Sequence, residues 1–202
     1  MPAPLIGLIG RARAGKDTFA DHLVMAHGFT KASFAAPLKA AALRLDPLIP
    51  VLPAALGSQR PNGIFPQPIQ LVVQRLSEVV RVHGWEEAKD KFPEVRAILQ
   101  RLGTDAIRKI DDGFWVRQAV AGLDPDTPTV FTDVRFPNEA DMLRSRGGVL
   151  IRIVRPGVMI AGSTHASETA LDQYPVDMTV DNTGTHGDLI AKARDVALAL
   201  LP

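Results

Sequence analysis

The sequence predicts an α/β fold, a parallel sheet with helices on both faces. Three observations lead there. Leu5, Ile6, Leu8 and Ile9 form a short apolar run that stops at Gly10, as a buried strand does when it feeds a glycine loop. Two further strand-like runs follow at 129–132 and 149–154. Segments of helical periodicity lie between and after them, and strands alternating with helices form a parallel sheet.

Each element has a local cause. After Lys16, the apolar residues Phe19, Leu23 and Val24 recur at helical spacing. Pro47, Pro50, Pro53, Pro61, Pro66 and Pro68 crowd 46–68, and proline removes backbone donors, so this stretch reads as an irregular excursion. Residues 69–82 and 93–102 read as helices, the second with Pro93 at its start and Gly103 as its C-cap. The run 129–132 ends at Asp133; 138–146 reads as a helix stopped by Gly147 and Gly148. The strand 149–154 is closed by Arg155, Pro156 and Gly157, a short strand is expected at 178–180, and 188–201 is an amphipathic helix.

Composition narrows the function. A chain of 202 residues suits one domain with an inserted region. The net charge of +1 carries no broad field for nucleic acid or an acidic membrane, so any anion must be held by a local cluster. No cysteine is present, which removes disulfides and thiolate zinc sites and fits a reducing cytoplasm. The N-terminus lacks the basic start of a signal peptide, and no apolar run approaches the ~20 residues of a membrane helix. His22, His27, His83 and His186 show no metal-ligand spacing.

The strongest motif is Gly10, four residues, Gly15 and Lys16, followed by Asp17 and Thr18. It leaves a predicted strand and opens a predicted helix. Glycines let the backbone curl, the curled amides face a phosphate, and the helix N-terminus adds partial positive charge. Gly10, Arg13, Ala14, Gly15, Lys16, Asp17 and Thr18 are therefore the expected ATP-binding set, with Lys16 on the β- and γ-phosphates. Arg11 and Ala12 lie in the same loop and are expected to bind substrate, and Arg11 and Arg13 raise its positive potential. The position after the lysine usually carries Ser or Thr for Mg²⁺; here Asp17 would bind the ion directly or through water. Asp133 at the end of the second strand is the expected second Mg²⁺-side carboxylate. Arg135 suits a phosphate clamp, with Asn138 and Glu139 opening the next helix.

These stretches together resemble the deoxynucleoside monophosphate kinases of tailed bacteriophages: GRARAGKDT (10–18), FAAPLK (34–39), VRAILQRLGTDAIRKIDDGFWV (95–116), TDVRFPNEA (132–140), IRIVRPG (151–157) and THASE (164–168). The resemblance covers most of the chain as separated motifs. It implies a three-layer P-loop kinase fold in one domain over 1–202, with a proline-rich and helical substrate-binding or lid insertion at about 44–95. It also implies a monophosphate pocket. Leu38 and Lys39 would lie near the acceptor, Arg96 would bind its α-phosphate, and Gly103 and Thr104 would form part of the wall. Trp115 would stack on the base or pack beside it, and Asp133, Arg135, Asn138 and Glu139 would complete the site. Arg155 and the loop to Glu168 resemble the ATP-base region or a lid, and a homodimer is implied.

The expected chemistry is transfer of the γ-phosphoryl group of ATP, with Mg²⁺, to a deoxynucleoside monophosphate, with Lys16, Arg13, Arg135 and Asp133 in the catalytic set. Two other readings share the phosphate loop. One is a kinase with another phosphorylated small molecule as acceptor. The other is a nucleotide-binding switch, against which stands the lack of an Asn-Lys-x-Asp motif.

Overall fold

The computed structural model describes residues 3–51, 72–157 and 169–201. In chain order the elements are β1 (Leu5–Ile9), α1 (Lys16–His27), β2 (Thr30–Ala32), α2 (Ala36–Leu45), β3 (Leu48–Val51), β4 (Val72–Arg75), α3 (Leu76–Lys91), α4 (Pro93–Gln100), a π-helical segment (Arg101–Arg108), α5 (Phe114–Ala121), β5 (Thr129–Phe131), α6 (Pro137–Ser145), β6 (Val149–Val154), β7 (Met178–Asp181) and α7 (His186–Leu200). They divide into two compact units, Met1–Ala36 with Gly113–Pro202, and Pro37–Asp112. The second unit is wider than the insertion expected at about 44–95.

In the first unit the strand order is β2-β5-β1-β6-β7, and every pairing is parallel. The register sets Ile6 opposite Val130 and Leu8 opposite Ile151. These residues are fully buried, which is why the strands read as continuous apolar runs rather than alternating ones. One core layer joins Ile6, Leu8, Phe19, Leu23 and Ile151 to Leu189, Ala193 and Val196, so α1 and α7 cover one face. The other layer joins Phe131, Val134 and Leu150 to Val116, Val120, Ala140 and Leu143 from α5 and α6. Because all five strands run the same way, the loops after Ile9, Ala32, Phe131, Val154 and Asp181 leave from one edge, and ligands of such sheets bind outside that edge.

The second unit has its own core of Ala42, Ile49, Leu76, Val79, Ala88 and Val95. Three features here differ from the sequence reading. First, 72–75 is a strand rather than the start of a helix: β4 pairs antiparallel with β3, Pro50 opposite Val73. Local periodicity cannot see a partner more than twenty residues away, and proline is tolerated because the ribbon is all edge. Second, α3 begins only at Leu76 and is broken at Gly84, whose φ of 68° and ψ of 169° are not helical. Third, Gly103 is no C-cap, because the helix continues past it as a π-helical turn. Residues 52–68 of the proline-rich stretch lie outside the described residues, as do His165 and Glu168. Among the described residues no helix is long and apolar enough to cross a membrane.

Candidate active site

The loop between β1 and α1 is built so that only glycine fits at its two ends. At Gly10 (φ 151°) an added Cβ would lie 2.5 Å from the Ile153 carbonyl oxygen. At Gly15 (φ 104°) it would lie 2.6 Å from Asn182 Nδ2 and 2.9 Å from Leu189 Cδ2. Arg13 holds a left-handed φ of 63° between them. Gly15 is the N-cap of α1 and brings no side chain to it, and the first helical bond is Phe19 N–H to Gly15 O. The amides of Lys16, Asp17 and Thr18 thus precede the intrahelical ladder, which is the arrangement that receives a phosphate.

Lys16 folds back over this loop. Its ammonium donates to Gly10 O at 2.6 Å and to Arg11 O at 2.8 Å, so the cation is held beside the amides by the loop's own carbonyls. Asn182, just past β7, pins the loop from the other side through Nδ2 to Ala14 O at 2.9 Å, while its own amide donates to Val154 O. The sequence reading missed Asn182. The available signal was a short polar residue directly after a strand, at the edge where the loops gather.

Against the loop lies a cavity of about 310 Å³, lined by Gly10, Arg11 and Ala14, by Val134 and Arg135, by Arg152, Ile153, Val154, Arg155 and Gly157, and by Leu171 and Asp172. Among the described lining residues, Arg11, Arg135, Arg152 and Arg155 stand against the one carboxylate of Asp172, so a chain of net charge +1 still concentrates positive charge at one place. Arg11 pairs with Asp172 at 3.0 Å. Arg152 donates to the carbonyls of Leu171, Asp172 and Tyr174, which makes it the staple of that turn.

The carboxylates named from the sequence have other partners. Asp133 accepts from Ser33 Oγ (2.6 Å) and Ala35 N–H (3.0 Å) on Oδ2, and from Phe34 N–H (2.8 Å) on Oδ1. It ties the turn leading into α2 to the end of β5. Glu139 is buried (2% exposed), and its Oε2 accepts from the amides of Arg135 and Phe136. This is one half of a capping box; Phe136 has no acceptor for the other half. Glu139 therefore shapes the Arg135 turn. Asn138 is half-buried in the first turn of α6. Asp17 is 79% exposed and turned to Lys31 of β2, 2.9 Å away. Burial alone would lower the Lys31 pKa, but hydrogen bonds and charge from Asp17 and Asp21 outweigh it and hold the ammonium above its ordinary value.

The acceptor residues implied by the resemblance, Leu38, Lys39, Arg96, Gly103 and Thr104, fall in the second unit. Gly103 packs on Leu38, where an added Cβ would meet Cδ2 at 2.7 Å. Arg96 is solvent-exposed and pairs with Asp90 at 3.3 Å beside a shallow depression also lined by Lys89, Pro93 and Gln100. Trp115, expected to stack on the base or pack beside it, is a buried ring. It is 5% exposed, edge-to-face with Phe114 at 4.9 Å, and packed at the start of α5.

A family model for deoxynucleotide monophosphate kinase matches residues 70–193, more than half of the chain. This chain belongs to that family. Two of its similar relatives carry that name. A protein of Acanthamoeba polyphaga mimivirus named as a putative deoxynucleotide monophosphate kinase is 30% identical over 188 residues, covering 83% of this chain and 81% of that protein. The deoxynucleotide monophosphate kinase of Enterobacteria phage T4 is 31% identical over 112 residues, 52% of this chain and 46% of that enzyme. An uncharacterized Ictalurid herpesvirus 1 protein, ORF76, is 33% identical over 118 residues, covering 52% of this chain and 48% of its own length. Family membership makes the chain a kinase and agrees with its parallel sheet flanked by helices.

Proposed function

We propose that this kinase transfers the γ-phosphoryl group of ATP to a deoxynucleoside 5′-monophosphate, giving ADP and the deoxynucleoside diphosphate. The observation that carries the reading is the Lys16 ammonium, held at Gly10 O and Arg11 O beside the uncapped start of α1. A triphosphate tail exchanges those two carbonyls for phosphate oxygens, which bind an ammonium more strongly because they are charged. The loop amides then hold the donor, and Arg135 and Arg155 supply further positive charge along the adjoining cavity.

The acceptor oxygen is already anionic, so no strong general base is needed. Rate enhancement comes from alignment and charge neutralisation as the P–O bond to ADP breaks and the bond to the acceptor forms. Asn182 and Glu139 act upstream of this, Asn182 by fixing the loop at Ala14 and Glu139 by fixing the backbone of Arg135.

Kinases of this type use Mg²⁺, which usually takes one or two protein carboxylates and fills its shell with water and phosphate oxygens. The residues fit that modest demand. Asp17 follows Lys16 directly, and its Oδ2 has no partner among the described residues, so it would hold the ion or its water. Asp133 spends most of its lone pairs on residues 33–35 and serves chiefly as an anchor. When bound with the nucleotide, Mg²⁺ offsets charge on the transferring phosphate oxygens.

A coupled ADP-release assay with dGMP, dTMP, dCMP, dAMP and their ribo counterparts tests the proposal. ADP release should require a deoxynucleoside monophosphate. Lys16→Ala should lower kcat by roughly 10²-fold or more, because its contact strengthens in the transition state. Turnover only with some other phosphorylated metabolite would assign a different acceptor. The family's phage member makes the cytoplasm of an infected bacterium the proposed setting.

A further inference from the structure

We propose that Trp85 is the ring on which the base of the acceptor nucleotide stacks, with Lys39 as its displaceable cover. The inference deepens the monophosphate-kinase reading and rests on it for the identity of the ligand.

The sequence has two tryptophans, and the structure gives them opposite surroundings. Trp115 is core. Trp85 is half-buried: one side packs on the second unit's own core, and Lys39 Nζ stands 5.6 Å from the ring centroid. The same ammonium lies 3.8 Å from Glu86, which is mostly exposed. A partly solvated lysine therefore stands over the ring.

The backbone makes this presentation at a cost. Gly84 breaks α3 with a positive φ that L-residues rarely adopt. An added Cβ there meets nothing within 4 Å, so the glycine answers to the dihedral and not to crowding. The break re-aims the residue after it, which is Trp85. Below, the contact of Gly103 with Leu38 fixes the first turns of α2, on which Lys39 sits, and Gly103 belongs to a π-helical turn, a distortion enriched at functional sites.

Magnitude decides between lysine and base. The displaced ammonium keeps water and its exposed partner Glu86, while a nucleobase gains a full stack on the indole, so a base should displace the partly solvated cation–π contact. The freed charge then lies within a side-chain length of the bound nucleotide and its phosphate. The ring selects a flat heteroaromatic group and tolerates any base, while Lys39 and Glu86 at its rim are placed to read the base edge.

Because Trp115 is buried and Trp85 is not, tryptophan fluorescence reports the site directly. Titration of the wild-type protein with dGMP or dTMP should give saturable quenching that Trp85→Phe abolishes or reverses. Trp85→Ala should raise the KM for the monophosphate about 5- to 100-fold, the range that loss of one base stack implies, with kcat and the KM for ATP within about 3-fold. Trp85→Phe, which keeps a ring, should recover most of that loss. Phosphorylation of a monophosphate by wild type with no quenching would overturn the inference and leave the functional reading standing. So would quenching by ATP·Mg²⁺ alone, or, in a folded Trp85→Ala protein, an unchanged acceptor KM. Quenching by a monophosphate without any turnover would retain the stacking site and overturn the kinase reading instead. If Trp85→Ala fails to fold, the wild-type and Trp85→Phe titrations decide alone.

Discussion

Replacing Asp133 separates two roles that the sequence could not separate, metal ligand and structural anchor. Asp133→Ala removes the acceptor for Phe34 N–H at 2.8 Å and Ser33 Oγ at 2.6 Å, and one of the two acceptors of Ala35 N–H, at 3.0 Å, the other being Ser33 Oγ at 3.1 Å. The Ser33 hydroxyl can turn to water, but the two part-buried amides lose a charged partner. Hydrogen bonds to a charged group are worth about 1.5–3 kcal/mol each, less when they share one carboxylate, so a loss of about 2–4 kcal/mol is expected. For a chain of this size that lowers Tm by roughly 4–16 °C. Asp133→Asn keeps an acceptor for Phe34 but sets an amide NH₂ against Ala35 N–H, so it should lose about half as much. The assay is a thermal melt of both variants, paired with the Mg²⁺ dependence of turnover below the transition. An anchor predicts a fall in Tm with a near-normal Mg²⁺ requirement in the folded enzyme. An unchanged Tm with Mg²⁺ dependence shifted by an order of magnitude would refute the anchor and restore Asp133 as a ligand.

Three further outcomes follow from the geometry. Gly15→Ala should abolish ATP binding and cost about 2 kcal/mol or more, since the φ of 104° is strained for alanine and its methyl would meet Asn182 and Leu189; calorimetry and a melt check both. Asn182→Ala deletes the 2.9 Å bond to Ala14 O and should weaken ATP binding about 5- to 10-fold, the size of one hydrogen bond, while the acceptor KM stays unchanged. Asp188 caps α7, and hydrogen bonds from the Thr185 amide and hydroxyl hold its pKa below the ordinary 3.8. Its folded form binds fewer protons than its unfolded form, so its contribution is present above pH 3.8 and lost as pH falls through the lowered pKa. Melts across that acid range should therefore show a flatter acid limb for Asp188→Asn than for wild type.

The main sheet was legible because its signals are local. The strand at 5–9, the loop at 10–15 and the helix behind it are dictated by contiguous residues, and 129–131 and 149–154 are short apolar runs interrupted only by Thr129 and Arg152. The β3–β4 ribbon was not legible, since Val72 and Val73 are strand residues only because Pro50 and Val51 lie opposite. The site divides the same way. Lys16 and its glycines belong to one motif whose chemistry follows from spacing. Glu139, at capping-box spacing from Phe136, has partners three and four residues away, whereas Asp133 and Asn182 look alike in sequence, as polar residues just past strands. Their roles depend on partners that spacing does not reveal, about a hundred residues away for Asp133 and farther for Asn182. Trp115 and Trp85 show the limit for aromatic residues. Beside Phe114 in an apolar helix, Trp115 was as compatible with core as with a base, and only burial separated it from Trp85.

The most direct test follows the phosphorus itself. With ATP, Mg²⁺ and each deoxynucleoside monophosphate in turn, ³¹P spectra should show the monophosphate signal replaced by the two resonances of its diphosphate, in step with loss of the ATP γ-resonance. The Lys16→Ala protein should show almost none of this. Appearance of inorganic phosphate at the same rate with or without a monophosphate would mean that water is the acceptor, and would contradict a nucleotide-to-nucleotide kinase.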